Sequence, residues 1–229
     1  MKDHMTMNTP CPIIFDLDGT LIDSAPDIHG CANQVLDQFA LPSLTLPQIR
    51  SFVGGGVDIL WTRIIAAQEI DPVQKPALVA AFMQRYEHAH DLTRMYPGVQ
   101  QALERLSDNG HPLGICTNKP LHATHSVLRH FGLDRMMRTV VGGDSLPQKK
   151  PDPAPLRLAM RQMGVTSTNP DAIFVGDSEF DAECAAAVPV PFLLYTEGYR
   201  KSPASDLPHS DMFDRFEDLP GLVLSVANA

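Results

Sequence analysis

The sequence predicts an α/β protein: a Rossmann-like parallel sheet core, interrupted after its first strand by an inserted helical bundle. Three observations carry this expectation. The apolar run Ile13-Ile14-Phe15 reads as a short buried strand. Residues 21–94 then show helix after helix with no strand signal. From Tyr96 onward, short apolar runs alternate with helical patterns, the signature of a parallel sheet with helices on both faces. The implied division is a discontinuous core of residues 1–20 and 95–229 and a helical domain of residues 21–94.

The elements follow in order. The first strand covers Pro12 to Phe15 and leads into Asp16-Leu17-Asp18-Gly19-Thr20. Ser24-Ala25-Pro26-Asp27 looks like a helix start, with Ser24 as N-cap and Pro26 in the first turn. Ile28, Ala32, Val35, Leu36 and Phe39 continue it at helical spacing until Leu41-Pro42. A second short helix runs from near Thr45 to Phe52, and Gly54-Gly55-Gly56 breaks the pattern. Asp58 to Gln68 reads as a third helix, with Ile59, Leu60, Ile64 and Ile65 as its apolar face. Asp71-Pro72 opens a fourth, which carries Leu78, Val79, Phe82 and Tyr86. Further helices are expected over Pro97–Asn109, Leu121–Phe131, Ala154–Met163 and Glu179–Ala187. Strands are expected over Leu113–Thr117, Thr139–Val141, Ala172–Gly176 and Phe192–Tyr195.

Composition narrows the function. The chain has 229 residues, 44% hydrophobic and 20% charged, ordinary for a globular protein. Its net charge of -9 argues against nucleic acid or an anionic membrane as main partner. A small anion can still bind in a locally positive pocket. Cys11, Cys31, Cys116 and Cys184 form no close pair, so neither a disulfide framework nor a CxxC zinc site is expected. A reduced, cytoplasmic setting fits that usage. Met1–Pro10 is polar and lacks the apolar stretch of a signal peptide, and no apolar run is long enough to span a bilayer.

Each main strand ends in polar residues. The first delivers Asp16 and Asp18, the second Thr117, Asn118 and Lys119. The third leads to Gly142-Gly143-Asp144-Ser145 and then Lys149-Lys150-Pro151. The fourth gives Gly176-Asp177-Ser178 and, four residues beyond Asp177, Asp181. In a parallel sheet these groups converge at one edge. Residues two apart on an extended chain face the same side, so Asp16 and Asp18 face one pocket while Leu17 faces the core. Two adjacent acids are costly unless a cation or a shared proton relieves them.

The chemistry of the set follows. Asp16, Asp177 and Asp181 supply hard oxygens and suit Mg²⁺, which takes one or two carboxylates plus water and phosphate oxygens. A lysine and a threonine hydroxyl hold further anion oxygens. One aspartate of the first pair attacks phosphorus and the other passes a proton to the leaving oxygen. Spacing alone leaves open which does which.

These residues resemble the haloacid dehalogenase-like hydrolases. The matching motifs are Asp16-Leu17-Asp18-Gly19-Thr20, the strand ending in Thr117, Lys150-Pro151, and Gly176-Asp177 with Asp181, in the family's order and along the whole chain. The resemblance implies that Asp16 is the nucleophile, forming an aspartyl-phosphate. It implies that Asp18 is the general acid/base, with its backbone carbonyl on Mg²⁺. Thr117 and Lys150 would bind the phosphoryl group, Asp177 would ligate the metal, and Asp181 would support it. The helical insertion would be a cap that reads the leaving group. An acid at position 18 favours phosphoester chemistry over dehalogenation.

Further matching segments are Phe52–Gly56 with Arg63, Val141–Pro147 and Thr196–Arg200. They imply a small phosphomonoester substrate, 2-phosphoglycolate first among the candidates. Sugar phosphates, pyrophosphate, nucleotides and a phosphomutase reaction are the alternatives. A phospho-receiver signalling module is disfavoured, since such modules place their paired acids before the phosphorylated Asp and carry no cap. Gly55 stands where the group often has Asn, and Val188-Pro189 where a Gly is usual. A monomer or small homo-oligomer is expected.

The remaining features carry two readings each. Gly54-Gly55-Gly56 is a loop dipping to the substrate or a plain helix break, and Gly55 is counted among the substrate contacts. Arg63 pairs with a substrate carboxylate or is a solvated helix residue. Asn118 orients groups at the site, contacting substrate, or caps the next helix. Lys150 rather than Lys149 is taken as the site lysine because it precedes proline, which biases it to an extended backbone. His88, His90, His122 and His125 lack a third ligand at suitable spacing and read as surface histidines. Asp23 and Asp27 read as helix-dipole partners, Cys116 as a buried strand residue and Trp61 as packing of the helical insertion.

Overall fold

A computed structural model describes residues 10–165 and 172–227. The polar N-terminal stretch before Pro10 lies outside the described residues. The centre of the molecule is a six-stranded sheet of β1 (Ile13–Phe15), β4 (Leu113–Cys116), β5 (Met137–Val141), β6 (Ile173–Gly176), β7 (Phe192–Tyr195) and β8 (Asp211–Phe213). Its order is β5-β4-β1-β6-β7-β8 and every neighbouring pair is parallel. The chain winds outward from β1 to one side and then, from β6, to the other. The carboxyl ends of β1, β4 and β6 therefore border the point where strand order reverses, the place where such sheets bind ligands.

Helices cover both faces, as the alternation requires. α5 (Val99–Asp108), α6 (Leu121–His130) and α9 (Leu219–Ala227) contribute to one apolar layer. α7 (Ala154–Gln162) and α8 (Glu179–Ala186) contribute to the other. The period of two along β1 is visible in the packing. Ile13, Phe15 and Leu17 enter the first layer and Ile14 the second, all fully buried. On β1, then, Asp16 shares Ile14's parity and Leu17 turns into the core, as expected.

Between β1 and β4 the chain forms α1 (Ala25–Gln38), α2 (Leu46–Phe52), α3 (Gly56–Ala67) and α4 (Lys75–Tyr86). These helices hold a third apolar cluster of their own, centred on Trp61, Ile64, Leu78 and Phe82. Trp61 and Phe82 meet edge to face, with ring centroids 5.8 Å apart. Two short strands, β2 (Ile22–Asp23) and β3 (Arg94–Met95), pair antiparallel where this segment leaves and rejoins the sheet. Neither these strands nor β8 and α9 were legible from periodicity: β2 and β3 are two residues each, too short to show a period.

The helix starts differ in instructive ways. α2 begins with the expected residue, Thr45, in a capping box with Gln48. Ser24 occupies the N-cap position of α1, but its side chain makes no cap bond. It donates instead to Asp18 Oδ1 at 2.6 Å. Asp27 accepts from the backbone of Leu92 and Thr93 and from the Thr93 hydroxyl, tying α1 to the returning segment. Asp23 likewise serves contacts beyond the helix end: it accepts from Ala25 N–H, Arg50 and the Tyr199 hydroxyl.

Candidate active site

The four strand ends do bring their polar residues to one place. Asp16 follows β1 directly and its N–H donates to Val175 C=O at 2.9 Å, so the sheet itself fixes it. Asp177 follows β6, on the neighbouring strand. Asp181 sits in the first turn of α8, where it forms a capping box with Ser178. Carboxylate oxygens of Asp16, Asp177 and Asp181 lie within 4.8 Å of one another, all buried.

That trio is electrostatically unfinished. Burial pushes the Asp16 carboxyl up to about 6, with Asp181 adding to the rise and Lys150 opposing it. Burial, then Asp181 and Asp16, push Asp177 up as well. Asp16 Oδ1 lies 2.8 Å from Lys150 Nζ yet has no well-aligned hydrogen-bond donor. A divalent cation fits this donor set. The oxygens are hard, the carboxylates are clustered, and a nearby positive charge would relieve the repulsion.

Asp177 is oriented before any cation arrives. One oxygen accepts from the Thr20 hydroxyl at 2.8 Å and the other from Tyr199 N–H at 2.6 Å. Gly19 makes this possible. It adopts φ +93°, and a Cβ there would fall 2.5 Å from an Asp177 oxygen.

Lys150 is buried between two carboxylates, 2.6 Å from Asp181 and 2.8 Å from Asp16. They hold its pKa above the ordinary lysine value despite burial. Asn118 positions it. Asn118 Oδ1 accepts from Lys150 N–H, and its amide donates to the carbonyls of Lys150 and Gly54. The Lys150–Pro151 peptide bond is cis. Lys149, its neighbour, instead lays its aliphatic stem beside Gly56. Asn118 is not the N-cap of α6, since that position belongs to Pro120.

Asp18 lines the same cleft as Asp16, as the period of two predicts, and its side-chain partners lie toward the inserted helices. Its oxygens meet Ser24, Lys119 and the Tyr86 hydroxyl. Thr117 lies beside it, buried, its hydroxyl accepting from Lys119 N–H. A cleft opens here, lined by Asp16, Asp18, Thr117, Asn118 and Lys119 from the sheet side. Val53, Gly54, Gly56, Val57, Leu60 and Tyr86 close it from the helical side.

Sequence reasoning placed Asp16, Asp18, Thr117, Asn118, Lys150, Asp177 and Asp181 in one neighbourhood, and the structure brings them together. Gly55 and Arg63 are placed elsewhere. Gly55 is buried as the N-cap of α3, against Ile59, while Gly54 and Gly56 line the cleft. Arg63 donates to Phe52 C=O at 2.9 Å and borders a separate surface depression with Lys201. Tyr86 and Ser24 are site residues that the sequence reading does not flag, and it leaves the partners of Thr20, in the first motif, and Tyr199, in the Thr196–Arg200 segment, undefined. Tyr86 reaches Asp18, and Thr20 and Tyr199 reach Asp177, across long stretches of chain, whereas Ser24 lies six residues from Asp18. Cys116 and Trp61 are fully buried, as read. His88 meets the His122 ring, and His90 stacks on His130 at 4.3 Å. These pairs join different elements, which spacing along one helix could not reveal.

Comparison with known proteins adds a separate line. A family model described as haloacid dehalogenase-like hydrolase matches residues 13–195. A phosphoglycolate phosphatase from Rhodobacter capsulatus is 44% identical over 214 residues, 92% of this chain and 95% of that protein. One from Cereibacter sphaeroides is 42% identical over 215 residues, 92% of this chain and 96% of the other. Among solved structures, a "predicted phosphoglycolate phosphatase" from Haemophilus somnus superposes with a TM-score of 0.86 at 31% identity. That match covers 95% of this chain and 99% of the other.

Proposed function

The chain belongs to the haloacid dehalogenase-like hydrolase family, and on that premise we propose that it is a Mg²⁺-dependent phosphatase of small phosphomonoesters, with 2-phosphoglycolate as its substrate. The observation that carries this reading is the buried Asp16–Asp177–Asp181 cluster facing Lys150, beside an acid, Asp18, held apart by its own partners. The names and high coverage of the relatives support the substrate.

Asp16 attacks phosphorus in line, and the bond to the leaving oxygen breaks. Asp18, aimed at the helical side, gives that oxygen a proton. In the second half, water attacks the phosphorus of the aspartyl-phosphate, Asp18 takes its proton, and phosphate leaves while the Asp16 carboxylate is restored. Lys150 and the Thr117 hydroxyl hold phosphoryl oxygens, and Asn118 keeps Lys150 in place. Asp16 and Asp177, with the Asp18 carbonyl, would hold Mg²⁺, which supplies charge neutralisation at the phosphoryl oxygens. Asp181 anchors Lys150 and completes the acidic cluster.

The helices of residues 21–94 form a cap domain over the core of 1–20 and 95–229, and its apolar wall suits a leaving group of a few atoms. Among the described residues no helix is long and apolar enough to cross a membrane. A cytoplasmic enzyme, monomeric or a small homo-oligomer, without nucleic acid or membrane as partner, fits the acidic chain with its few, widely spaced cysteines. The test is a panel of phosphate esters with Mg²⁺: 2-phosphoglycolate, sugar phosphates, pyrophosphate and nucleotides. The expected kcat/KM for 2-phosphoglycolate exceeds the others by at least about tenfold. A flat profile contradicts the substrate.

A further inference from the structure

Two lysines are buried in this cleft, and they are held very differently. Lys150 sits in short contacts with two carboxylates, 2.6 and 2.8 Å away. Lys119 is nearly as buried, with its side chain 2% exposed, but has one carboxylate, Asp18. It straddles both Asp18 oxygens at 3.2 and 3.4 Å, a bifurcated and looser arrangement. Its other partner is the hydroxyl of Tyr86, from α4 of the helical insertion, whose ring also lies 4.2 Å from the ammonium.

Ile28, Val53, Val57 and Leu60 give the cleft an apolar wall on the insertion side, while Asp16, Asp18, Thr117 and Asn118 line the sheet side. A desolvated ammonium beside a phenol, held loosely by the single carboxylate of Asp18 and facing an apolar wall, is a site for a second, small carboxylate. It lies on the leaving-group side of Asp18, since Lys150 and the acidic trio occupy the phosphoryl side. We propose that Lys119, with the Tyr86 hydroxyl, is the specificity determinant of this enzyme, reading a carboxylate carried by the leaving group. The proposal rests on the phosphatase reading above and deepens it: it states why a phosphorylated 2-hydroxy acid would be chosen over a neutral ester. Because Tyr86 belongs to the insertion and Lys119 to the loop after β4, a bound carboxylate would also bridge the insertion and the sheet. Arg63, the cation expected from sequence to pair with such a group, lies outside the cleft.

The experiment compares 2-phosphoglycolate, its carboxamide analogue and p-nitrophenyl phosphate on the Mg²⁺-loaded wild type, Lys119→Met and Tyr86→Phe. The wild type should prefer the carboxylate over the carboxamide by about 10²-fold in kcat/KM, the scale of a hydrogen bond to a charged group. Lys119→Met should lose most of that preference through KM, read as the carboxylate-to-carboxamide ratio within the variant, so that any disturbance of Asp18, which slows all three esters alike, cancels. Tyr86→Phe should lower the carboxylate-to-carboxamide ratio by about tenfold. Equal losses on all three esters in Lys119→Met would mean that the lysine only shapes Asp18, and would overturn the proposal while the substrate stands. Turnover of p-nitrophenyl phosphate without turnover of 2-phosphoglycolate by the wild type would instead defeat the substrate assignment. If Lys119→Met fails to fold, the decision rests on the wild-type ratio and Tyr86→Phe. A wild type indifferent to the carboxamide overturns the proposal.

Discussion

Lys150 Nζ and Asp181 Oδ1 form a fully buried ion pair at 2.6 Å, and the same ammonium reaches Asp16 at 2.8 Å. One lysine thus couples a helix acid to the candidate nucleophile.

Replacing Asp181 by Asn should weaken that coupling. The expected loss of stability is up to about 3 kcal/mol, below the full cost of orphaning a buried charge, because Asp16 remains as a partner. Thermal unfolding of the metal-free variant measures it. Turnover should also fall by about 10²-fold, as Lys150 loses its fixed position.

Asp16→Asn should abolish turnover, by at least about 10⁴-fold, and leave the fold intact. It should also raise the stability of the metal-free protein at neutral pH, because it removes a buried charge whose ionisation burial opposes. Circular dichroism with and without heating checks both halves. Near-normal activity in this variant would defeat the mechanism.

The metal-free protein should grow less stable between about pH 4 and 6. The Asp16 carboxyl titrates near 3.8 unfolded and near 6 folded, so the folded state holds its proton more tightly. Its stabilising contribution is complete below the unfolded value and disappears as pH rises through the folded one, on the order of 3 kcal/mol in all. Asp177 shifts in the same direction. Mg²⁺ should therefore raise the melting temperature far more at pH 7.5 than at pH 5, since the carboxylates must shed protons to bind it. Equal shifts at both pH values would contradict the assignment of the trio as the metal site.

Gly56→Ala should strain the contact between the helical insertion and the sheet. Gly56 holds φ +81°, and a Cβ would approach Asn118 C=O to 3.0 Å. A left-handed alanine costs about 1–2 kcal/mol. The expected result is a melting temperature lower by roughly 2–8 °C and a reduced kcat, since Asn118 also positions Lys150. An unchanged kcat would show that this loop does not bear on the chemistry.

Much of the core was legible because its signals are local. Ile13-Ile14-Phe15 declares a buried strand, and parity alone sends Leu17 inward and Asp16 to the other side. A parallel sheet then has to gather the ends of β1, β4 and β6, so Asp16, Asp18, Thr117 and Asp177 meet on topology alone, whereas Lys150, nine residues beyond β5, is brought in by its loop and by Asn118. Residues on the insertion side were not legible in this way. Tyr86 and Arg63 each sit on an amphipathic helix, and nothing in the period says that Tyr86 points into the cleft while Arg63 folds back on Phe52. Ser24 has the sequence of a helix cap, yet the stronger charge-assisted bond to Asp18 takes its hydroxyl. Tyr199, 22 residues beyond Asp177, serves that carboxylate through a backbone N–H, which carries no sequence signature at all.

The central claim is that Asp16 carries the phosphoryl group during hydrolysis. Acid quenching of the Mg²⁺-loaded enzyme in the first turnover of labelled 2-phosphoglycolate, followed by peptide mapping, tests it directly. The account predicts label on the peptide containing Asp16, appearing before free phosphate accumulates and absent in Asp16→Asn. Steady release of phosphate with no label on Asp16 at any quench time, and turnover retained in Asp16→Asn, would contradict it.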